Sequence, residues 1–380
     1  MPAPLPNPKA FSVLSVEGFQ DLPAILREVE TGSAVALRPP GIQPADVETL
    51  GKRSGAPEGE GSLGVWSSGS SGRPKLIWRA WTDLARWSGD RSTAEEGMVW
   101  GSCFDPWSFA GALVAVHAYR YGETVIGLGG SWESVWADLR EHQVSALSVT
   151  ATFLRLALLG EPNDGGASWE PRQITLGGEV ASEAFLRQVS ARFPRSRLTV
   201  VYAAAEGGVL AKCHDQSGWF PVSDLEREGR AFEVRDQGLF LRAADGAWWD
   251  TGDRIEVEGA RFRPLGRLSR VVNVGGAKVA LDDVERALET VPGVANAVAW
   301  AQANPVVGQV VAVRVEWLSA EDSPEARDGL RAHARANLPK PGWPRLWEFG
   351  AVDLGPNGKR ALHAGGEPKG LETDADADNL

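Results

Sequence analysis

The sequence predicts an α/β protein with a large N-terminal domain, built on a mostly parallel sheet, and a smaller α+β domain after it. Between residues 65 and 202, short β-rich runs alternate with helical runs, which is typical of βαβ units around a parallel sheet. Residues 219–265 hold short strand-like runs punctuated by Gly and Asp, which indicate an antiparallel β subdomain. The length of 380 residues exceeds what one core usually serves, so two or more domains are expected.

The elements of the first part follow in chain order. The first 60 residues are rich in Pro, Gly and charge and offer one helical pattern, at residues 22–29. Residues 51–64 contain five glycines and are predicted to form a loop. Later strands are expected at residues 64–66, 123–128, 144–149, 173–176 and 198–202. Ser131, Thr150 and Ser182 precede the intervening helical runs, where their side chains can cap the first turn.

A third section begins after Gly266. It offers one strand, one helix, two strands and a second helix, at residues 270–274, 282–290, 294–303, 309–317 and 325–337. A unit of about 100 residues is a plausible separate domain. We therefore predict an N-terminal domain (1–265), a C-terminal domain (266–365) and a disordered acidic tail (366–380).

Composition excludes several classes of protein. The net charge of −11 disfavours nucleic acid as a partner, because that affinity comes mostly from neutralising phosphates. Two cysteines, Cys103 and Cys213, cannot build a disulfide scaffold or a four-cysteine zinc site. Cys213, His214 and Asp215 are adjacent, and neighbours on a strand point to opposite faces, so we expect no catalytic dyad there.

The sequence also bears on location. No apolar stretch is long enough to cross a bilayer, and the first residues show no basic start followed by an apolar run. We therefore expect a cytoplasmic protein with no membrane span, as either a monomer or a homodimer.

The most informative stretch is WSSGSSGRPK, at residues 66–75. Glycines let a backbone fold closely around an anion, while N–H groups, hydroxyls and a lysine can hold phosphate oxygens. The predicted phosphate loop consists of Ser67, Ser68, Gly69, Ser70, Ser71, Gly72 and Lys75. A flexible Ser/Gly linker is the alternative, but a linker is not expected between a strand and the apolar run LIWRAW. The loop is not a Walker A motif, because Gly-Lys-Ser/Thr is absent.

This loop resembles the phosphate loop of the acyl-adenylate-forming enzymes, which include acyl- and aryl-CoA ligases, luciferases and the adenylation domains of peptide synthetases. Other motifs follow in that family's order. They are Gly177-Gly178-Glu179, YAAAE at 202–206, WDTGD at 249–253, Gly266-Arg267 with VVNVGGAKVALDDVE after it, and PNGK at 356–359. The resemblance covers nearly all the chain after Gly64 and implies that the C-terminal domain is mobile.

The resemblance implies a role for each matched position. Lys75 would contact the β- and γ-phosphates of ATP, Glu206 would bind Mg²⁺, and Lys359 would bridge the substrate carboxylate and the α-phosphate. The carboxylate of Asp253 could accept hydrogen bonds from both ribose hydroxyls. Contacts to the nucleotide or to the acceptor are implied for Gly178, Glu179, Tyr202, Asp253, Arg267, Gly275 and Gly276.

The implied reaction has two steps. A carboxylic acid and ATP give an acyl-adenylate and pyrophosphate, and the acyl group then passes to coenzyme A after the C-terminal domain rotates near Ser269. The chain looks most similar to short members that act on aromatic acids, especially the o-succinylbenzoate–CoA ligase of menaquinone synthesis. Trp107, Phe109 and Phe153 suggest a flat, apolar acid. Two alternatives stay open, namely loading of a carrier protein, and binding of nucleotide or acyl-AMP without turnover.

Several positions depart from the family's pattern. Ala205 stands where a threonine usually assists with phosphate and Mg²⁺, and Ala203 replaces a glycine. Ser108 takes the place of a histidine, and Ser269 that of a hinge aspartate or lysine. Only 65 residues precede the phosphate loop, so we expect an N-terminal domain shortened at its start. We expect a water molecule to fill the space beside Ala205 and activity to be retained.

Overall fold

The computed structural model describes residues 11–55, 61–67, 75–89, 97–162, 169–242, 246–317, 322–352 and 372–373. The chain divides into two compact units that interleave along the sequence. The first unit draws on Met1–Val149, Pro162–Gly178 and Arg195–Leu210, and the second on Thr150–Glu161, Glu179–Pro194 and Ala211–Leu380.

The first unit begins with a four-stranded sheet. Its strands are β1 (Ser12–Ser15), β2 (Ala34–Arg38), β3 (Ser62–Ser67) and β4 (Lys75–Ala80), in that spatial order. The first three strands are parallel and β4 runs antiparallel to β3. Helices α1 (Leu22–Glu30) and α2 (Pro44–Ser54) connect the parallel strands. A buried apolar cluster joins α1, β2 and β3 through Leu26, Val35 and Val65.

This region corrects the sequence prediction for the first 64 residues. Only the helix at residues 22–29 was expected there, whereas the structure adds two strands and a second helix. The predicted loop at 51–64 is wrong at both ends, because α2 continues to Ser54 and β3 starts at Ser62. Each missed strand has only four or five residues, so hydrophobic alternation has little length over which to show.

The second sheet of this unit is mostly parallel. Its strands are β5 (Val99–Ser102), β6 (Thr124–Gly127), β7 (Ala146–Val149), β8 (Gln173–Gly177), β9 (Arg197–Ala204) and β10 (Gly208–Cys213). The spatial order is β10-β9-β8-β7-β5-β6, with parallel pairing from β9 through β6. The unit's other helices are α3 (Trp81–Trp87), α4 (Phe109–Tyr121) and α5 (Trp132–Glu141). Helix α4 was not predicted, because it is buried at most positions and shows no helical period.

The second unit holds two further helices from the middle of the chain and most of the antiparallel structure. Helices α6 (Ala151–Leu159) and α7 (Glu183–Arg192) belong to it. An antiparallel sheet has the order β11-β15-β14-β13-β12. Its strands are β11 (Phe220–Pro221), β12 (Ala231–Arg235), β13 (Gly238–Arg242), β14 (Trp248–Glu258) and β15 (Arg261–Arg267).

The remaining α+β part of the second unit has its own buried core. It comprises the hairpin β16 (Val271–Val274) and β17 (Ala277–Ala280), helices α8 (Leu281–Leu288) and α9 (Pro324–Asn337), and the sheet β18 (Val294–Asn304), β19 (Gly308–Trp317), β20 (Leu346–Phe349) and β21 (Glu372–Thr373). Leu288, Val313, Leu330 and Trp347 lie at the centre of its apolar cluster.

The structure confirms the predicted fold class and its helix caps. The side chains of Ser131, Thr150 and Ser182 each accept a backbone hydrogen bond from the residue three positions further on. The antiparallel subdomain begins within the predicted range 219–265 and extends two residues past it, because β15 ends at Arg267, and the later α+β elements follow in the expected order. The boundaries 1–265, 266–365 and 366–380 stay predictions, and most of the proposed tail lies outside the described residues.

One further property concerns membranes. Within the described stretches of chain, none of the helices is both long enough and apolar enough to pass through a bilayer.

Candidate functional site

The predicted phosphate loop connects two paired strands of the first unit. Ser67 ends β3 and Lys75 begins β4, and the two residues are direct partners in the antiparallel register. Ser68, Gly69, Ser70, Ser71 and Gly72 lie outside the described residues. Lys75 is exposed, and the Ser67 hydroxyl is buried with no hydrogen-bond partner among the parts of the chain that the structure describes. The antiparallel pairing therefore fixes the two ends of the loop relative to each other, with the Lys75 side chain exposed.

Strand β3 is fixed to its surroundings just before the loop. The Trp66 indole donates to the Leu37 carbonyl at 2.6 Å, and the Trp66 backbone N–H donates to the Trp107 carbonyl at 2.9 Å. Ser108 then caps α4 by accepting the N–H of Gly111 at 3.1 Å. The residue that replaces the family's histidine therefore has a structural role as a helix cap.

Of the three aromatic residues proposed for the acid pocket, one is partly exposed. Trp107 is partly buried and packs against two apolar clusters. Phe109 is 7% exposed and lies edge-on to Trp87, with 6.2 Å between ring centroids. Phe153 is 5% exposed. Core packing therefore accounts for Phe109, and Trp107 is the better candidate for a residue that meets the substrate.

The turn after β9 presents Glu206. Tyr202 is 9% exposed near the end of the strand, and the N–H of Gly207 donates to the Ala204 carbonyl at 3.1 Å to close a tight turn. The Glu206 side chain is exposed at that turn. An exposed carboxylate suits Mg²⁺, which prefers oxygen ligands and usually takes one or two carboxylates together with substrate phosphates.

A close approach to an aromatic ring sets the end of the same turn. Gly208 has φ +75°, and a Cβ there would come within 2.2 Å of the Trp87 ring. Any other residue would combine a disfavoured backbone conformation with a steric clash. The backbone on the C-terminal side of Glu206 is therefore fixed by packing against Trp87.

Arg79 fixes the other side of the turn, and sequence reasoning did not identify it. Its Nε donates to the Ala205 carbonyl at 2.8 Å, and its Nη2 donates to the same oxygen. Its guanidinium carbon lies 5.6 Å from the centroid of the Trp87 ring. Burial lowers the pKa of Arg79, and the carboxylates of Asp83 and Glu206 act in the opposite direction. A cation therefore lies at the base of the turn that carries Glu206.

The structure also bears on Ala205. Its side chain is 8% exposed and belongs to a buried cluster with apolar side chains such as Val65, Trp87 and Phe109. Apolar packing therefore surrounds the Ala205 methyl group, and the expectation that water takes the place of a threonine hydroxyl stays a prediction.

The Gly-Gly-Glu turn leaves β8 in the first unit and continues into the second. Gly178 has φ +78°, which favours glycine. The Glu179 carboxylate accepts the N–H of Thr152 at 3.1 Å, in the first turn of α6. A carboxylate is stabilised at a helix N-terminus, so Glu179 anchors α6, and its predicted contact with nucleotide stays a prediction.

In the second unit, the structure brings Asp253 and Arg267 together. They are direct partners across β14 and β15, with 3.1 Å between Arg267 Nε and Asp253 Oδ1. The register shifts at Asp253, which is the last of three residues of β14 that lie opposite Leu239 of β13. Such bulges often redirect side chains at functional sites. Thr251 stabilises this one, because its hydroxyl donates to the Leu239 carbonyl and accepts the N–H of Asp253.

The predicted glycine turn is the two-residue loop of the β16–β17 hairpin. Gly275 and Gly276 have φ values of +56° and +89°, the left-handed pair that a tight two-residue hairpin turn requires. The Asn273 side chain accepts the N–H of Gly276 at 2.8 Å. The Asn273 side chain therefore stabilises the turn.

Ion pairs surround the predicted hinge at Ser269. Arg270 lies between Asp282, with 2.7 Å between Nε and Oδ1, and Glu285, to which its Nη2 also donates. The side chains of Arg270 and Glu285 are 13% and 8% exposed. Arg254 of β14 pairs with Asp283 of α8 at 2.5 Å. An ion pair therefore joins β14, before the hinge, to α8.

Two other predictions concern Lys359 and the neighbouring residues Cys213 and His214. Lys359 lies outside the described residues. Cys213 is buried at the end of β10 while His214 is exposed, as expected for neighbours on opposite faces. Over the described ranges, His, Cys, Asp and Glu side chains form no group of three or more that could hold a metal ion.

The chain resembles known proteins in sequence over part of its length and in fold over most of it. No family model matches the chain. The chain is 24% identical over 296 residues to a 3,4-dihydroxybenzoate–[aryl-carrier protein] ligase of Bacillus anthracis. The aligned region covers 72% of this chain and 66% of that ligase. The chain thus spans slightly under two thirds of that relative.

Two solved structures are similar over most of the chain. A variant of E. coli MenE with bound OSB-AMS has a TM-score of 0.69 at 17% identity, covering 90% of this chain and 84% of that one. The o-succinylbenzoate CoA synthetase of Bacillus subtilis, in complex with the acyl-adenylate intermediate OSB-AMP, has a TM-score of 0.58 at 18% identity, covering 90% and 79%. The chain therefore has the fold of the adenylate-forming enzymes, and the resemblance predicted from its motifs is confirmed.

Proposed function

We propose that this chain is an AMP-forming ligase, which activates a carboxylic acid with ATP and transfers the acyl group to the thiol of coenzyme A. The observation that carries the proposal is the position of the predicted residues in the fold. Lys75 begins a strand, Gly178 and Glu206 follow strands, Asp253 lies at a bulge, and Gly275 forms a hairpin turn. Ligands of α/β sheets bind at strand ends in this way.

In the first proposed step, an oxygen of the substrate carboxylate attacks the α-phosphorus of ATP. The bond from that phosphorus to the bridging oxygen breaks, and pyrophosphate leaves. Lys75 would hold the departing phosphates, Lys359 would draw the carboxylate and the α-phosphate together, and Asp253 with Arg267 would orient the ribose. Glu206 would hold Mg²⁺, which offsets the phosphate charge when bound. Orientation and charge stabilisation then account for the catalysis, without a protein nucleophile.

In the second proposed step, the thiol sulfur of coenzyme A attacks the acyl carbonyl of the adenylate. The carbon–oxygen bond breaks, a thioester forms, and AMP leaves with the oxygen that came from the carboxylate. We propose that residues 266–365 act as a mobile domain that rotates near Ser269 between the steps. This rotation would withdraw Lys359 and bring in the turn at Gly275 and Gly276.

The proposed acid is aromatic, for example o-succinylbenzoate, in which case the pathway is menaquinone synthesis. The names of the two similar structures and the partly exposed ring of Trp107 support this choice. A carrier protein is the second candidate acceptor, and it is favoured by the aryl-carrier protein ligase among the relatives. A cytoplasmic location remains part of the proposal.

A pyrophosphate-release assay tests this function. Purified protein, ATP and Mg²⁺ are combined with a panel of aromatic and aliphatic acids, and the nucleotide product is identified. We expect acid-dependent pyrophosphate and AMP, followed by a thioester when coenzyme A is added. A parallel reaction with a phosphopantetheine-bearing aryl carrier protein separates the two acceptors. Nucleotide bound without pyrophosphate release from any acid would favour the binding-protein alternative.

The two half-reactions separate the role of Lys359. We expect Lys359→Ala to slow adenylation by about 100-fold, the scale of one preorganised charge contact. Thioester formation from preformed acyl-AMP should stay within about twofold, because the lysine has left the site by then. Equal losses in both half-reactions would contradict the proposed rotation.

A further inference from the structure

We propose that Arg79 is a positioning residue, which fixes the turn carrying Glu206 so that its carboxylate meets the metal of Mg²⁺-ATP. The inference rests on the proposed function, since that function gives Glu206 its ligand. It concerns a residue that belongs to none of the motifs in the sequence.

Arg79 holds the carbonyl group that precedes Glu206. Two donors of the Arg79 guanidinium, Nε and Nη2, converge on the Ala205 carbonyl oxygen. That carbonyl belongs to the peptide unit that ends at the nitrogen of Glu206, and a peptide unit is planar. Holding the oxygen therefore sets the plane from which the Glu206 side chain departs.

The turn that carries Glu206 is fixed on both sides. Gly208 lies against the Trp87 ring so closely that no Cβ fits, while Arg79 holds the carbonyl before Glu206. Arg79 itself lies 5.6 Å from the centroid of the same ring. The turn and its arginine thus share one aromatic support, and the exposed Glu206 carboxylate lies between two fixed points.

Arg79 lies on β4, the strand that begins at Lys75. Leu76 and Trp78 of β4 are buried at 4% and 6% exposure, so Lys75 and Arg79 share the alternate face of the strand. Four residues of strand separate them by roughly 14 Å. One short strand therefore connects the end of the phosphate loop to the turn bearing the proposed metal ligand.

Two nearby carboxylates act on the charge of Arg79. The carboxylates of Asp83 and Glu206 favour the charged form of Arg79, against the effect of burial. Methionine at position 79 would keep much of the side-chain volume but would remove both the donors and the charge.

The test compares three variants in their binding of Mg²⁺-ATP, measured by titration calorimetry without any acid. We expect Arg79→Met to raise the Mg²⁺ concentration needed for half-maximal ATP binding about tenfold, the scale of hydrogen bonds from a charged group. Arg79→Lys, which keeps the charge but not the paired donors, should raise it about threefold. Arg86→Met is the matched control, because Arg86 lies 5.7 Å from the same Trp87 ring, and its exposed side chain pairs with Asp83. It should change the value less than twofold.

The outcomes are distinct. A folded Arg79→Met protein with the Mg²⁺ dependence of the wild type overturns the inference, and so does an equal shift in the Arg86→Met control. If Arg79→Met fails to fold, the inference is tested by Arg79→Lys alone. An Arg79→Lys protein with the Mg²⁺ dependence of the wild type would then overturn it. A wild type that binds Mg²⁺-ATP but activates no acid would refute the proposed function, while the binding comparison would still test Arg79. A wild type that binds no ATP overturns both proposals.

Discussion

Two regions of this molecule hold candidate functional residues by different means. In the first unit, the turn around Glu206 is fixed by backbone hydrogen bonds, an aromatic ring and one arginine. In the second unit, the region around Asp253 and the predicted hinge is joined by ion pairs, several of them partly exposed. Packing against a ring fixes one geometry, whereas charged side chains can exchange partners with water.

The difference suggests a division of labour. Under the proposed function, the first region would hold phosphates and a metal in one arrangement throughout the reaction. The second contains the predicted hinge, and charged contacts such as that of Arg254 with Asp283 can break and re-form at modest cost when water replaces them. Three comparisons, ordered from the largest expected effect, test this contrast.

The largest effect on the free energy of unfolding is expected at Arg270 and Glu285, whose ion pair is more buried than the others of the second region. Arg270 and Glu285 are nearly buried, and Glu285 also accepts the N–H of Ala299 at 2.7 Å. Arg270→Met would leave a buried carboxylate without its cation, so the free energy of unfolding should fall by about 4 kcal/mol. Urea denaturation measures the loss. The control Arg187→Met removes an exposed pair with Glu183 on α7 and should cost less than about 0.5 kcal/mol. Similar values for the two variants would mean that the Arg270 cluster does not hold this region.

The next effect concerns the first region. Gly208→Ala places a Cβ against the Trp87 ring and forces alanine to a φ of +75°. Overpacking and backbone strain together should lower the free energy of unfolding by about 3 kcal/mol. Gly218→Ala is the control, since φ is +68° there but the nearest atom lies at an ordinary 3.4 Å. It should cost about 1 kcal/mol, from strain alone. Equal losses would show that contact with Trp87 adds nothing.

The smallest effect separates the roles of the two regions in binding. Asp253→Asn should weaken AMP and ATP alike by about tenfold, because it removes a charged acceptor for the ribose hydroxyls. Glu206→Gln should weaken Mg²⁺-ATP by a similar factor but leave AMP binding unchanged. Calorimetric titrations with both nucleotides check this pattern. Loss of AMP affinity in Glu206→Gln would argue against a role for Glu206 at the metal.

Local signals in the sequence predicted much of the structure. Ser131, Thr150 and Ser182 cap the helices that follow them, because a cap depends on residues only three positions apart. The hairpin turn at Gly275 and Gly276 could be expected for the same reason. Strands β1 and β2 were missed, since four or five residues carry too little pattern to distinguish a strand from a Pro- and Gly-rich segment.

The arginine contacts could not be predicted, because they join residues far apart in the chain. Arg79 and Ala205 are 126 residues apart, and an arginine within the run LIWRAW gives no local sign of its partner. The pairing of Arg254 with Asp283 likewise depends on how β14 packs near α8. Motifs therefore predicted candidate ligand contacts, and the fold was needed to find Arg79 beside the turn of Glu206.

The most direct test of the proposed chemistry follows one oxygen atom. The acid that forms a thioester fastest with ATP and coenzyme A is labelled with ¹⁸O in its carboxylate and allowed to react under the same conditions. If the acid is adenylated, its oxygen attacks the α-phosphorus and leaves with AMP, so mass spectrometry should find one ¹⁸O in AMP. ADP as the nucleotide product, with the label in inorganic phosphate, would show attack at the γ-phosphorus and would contradict the account.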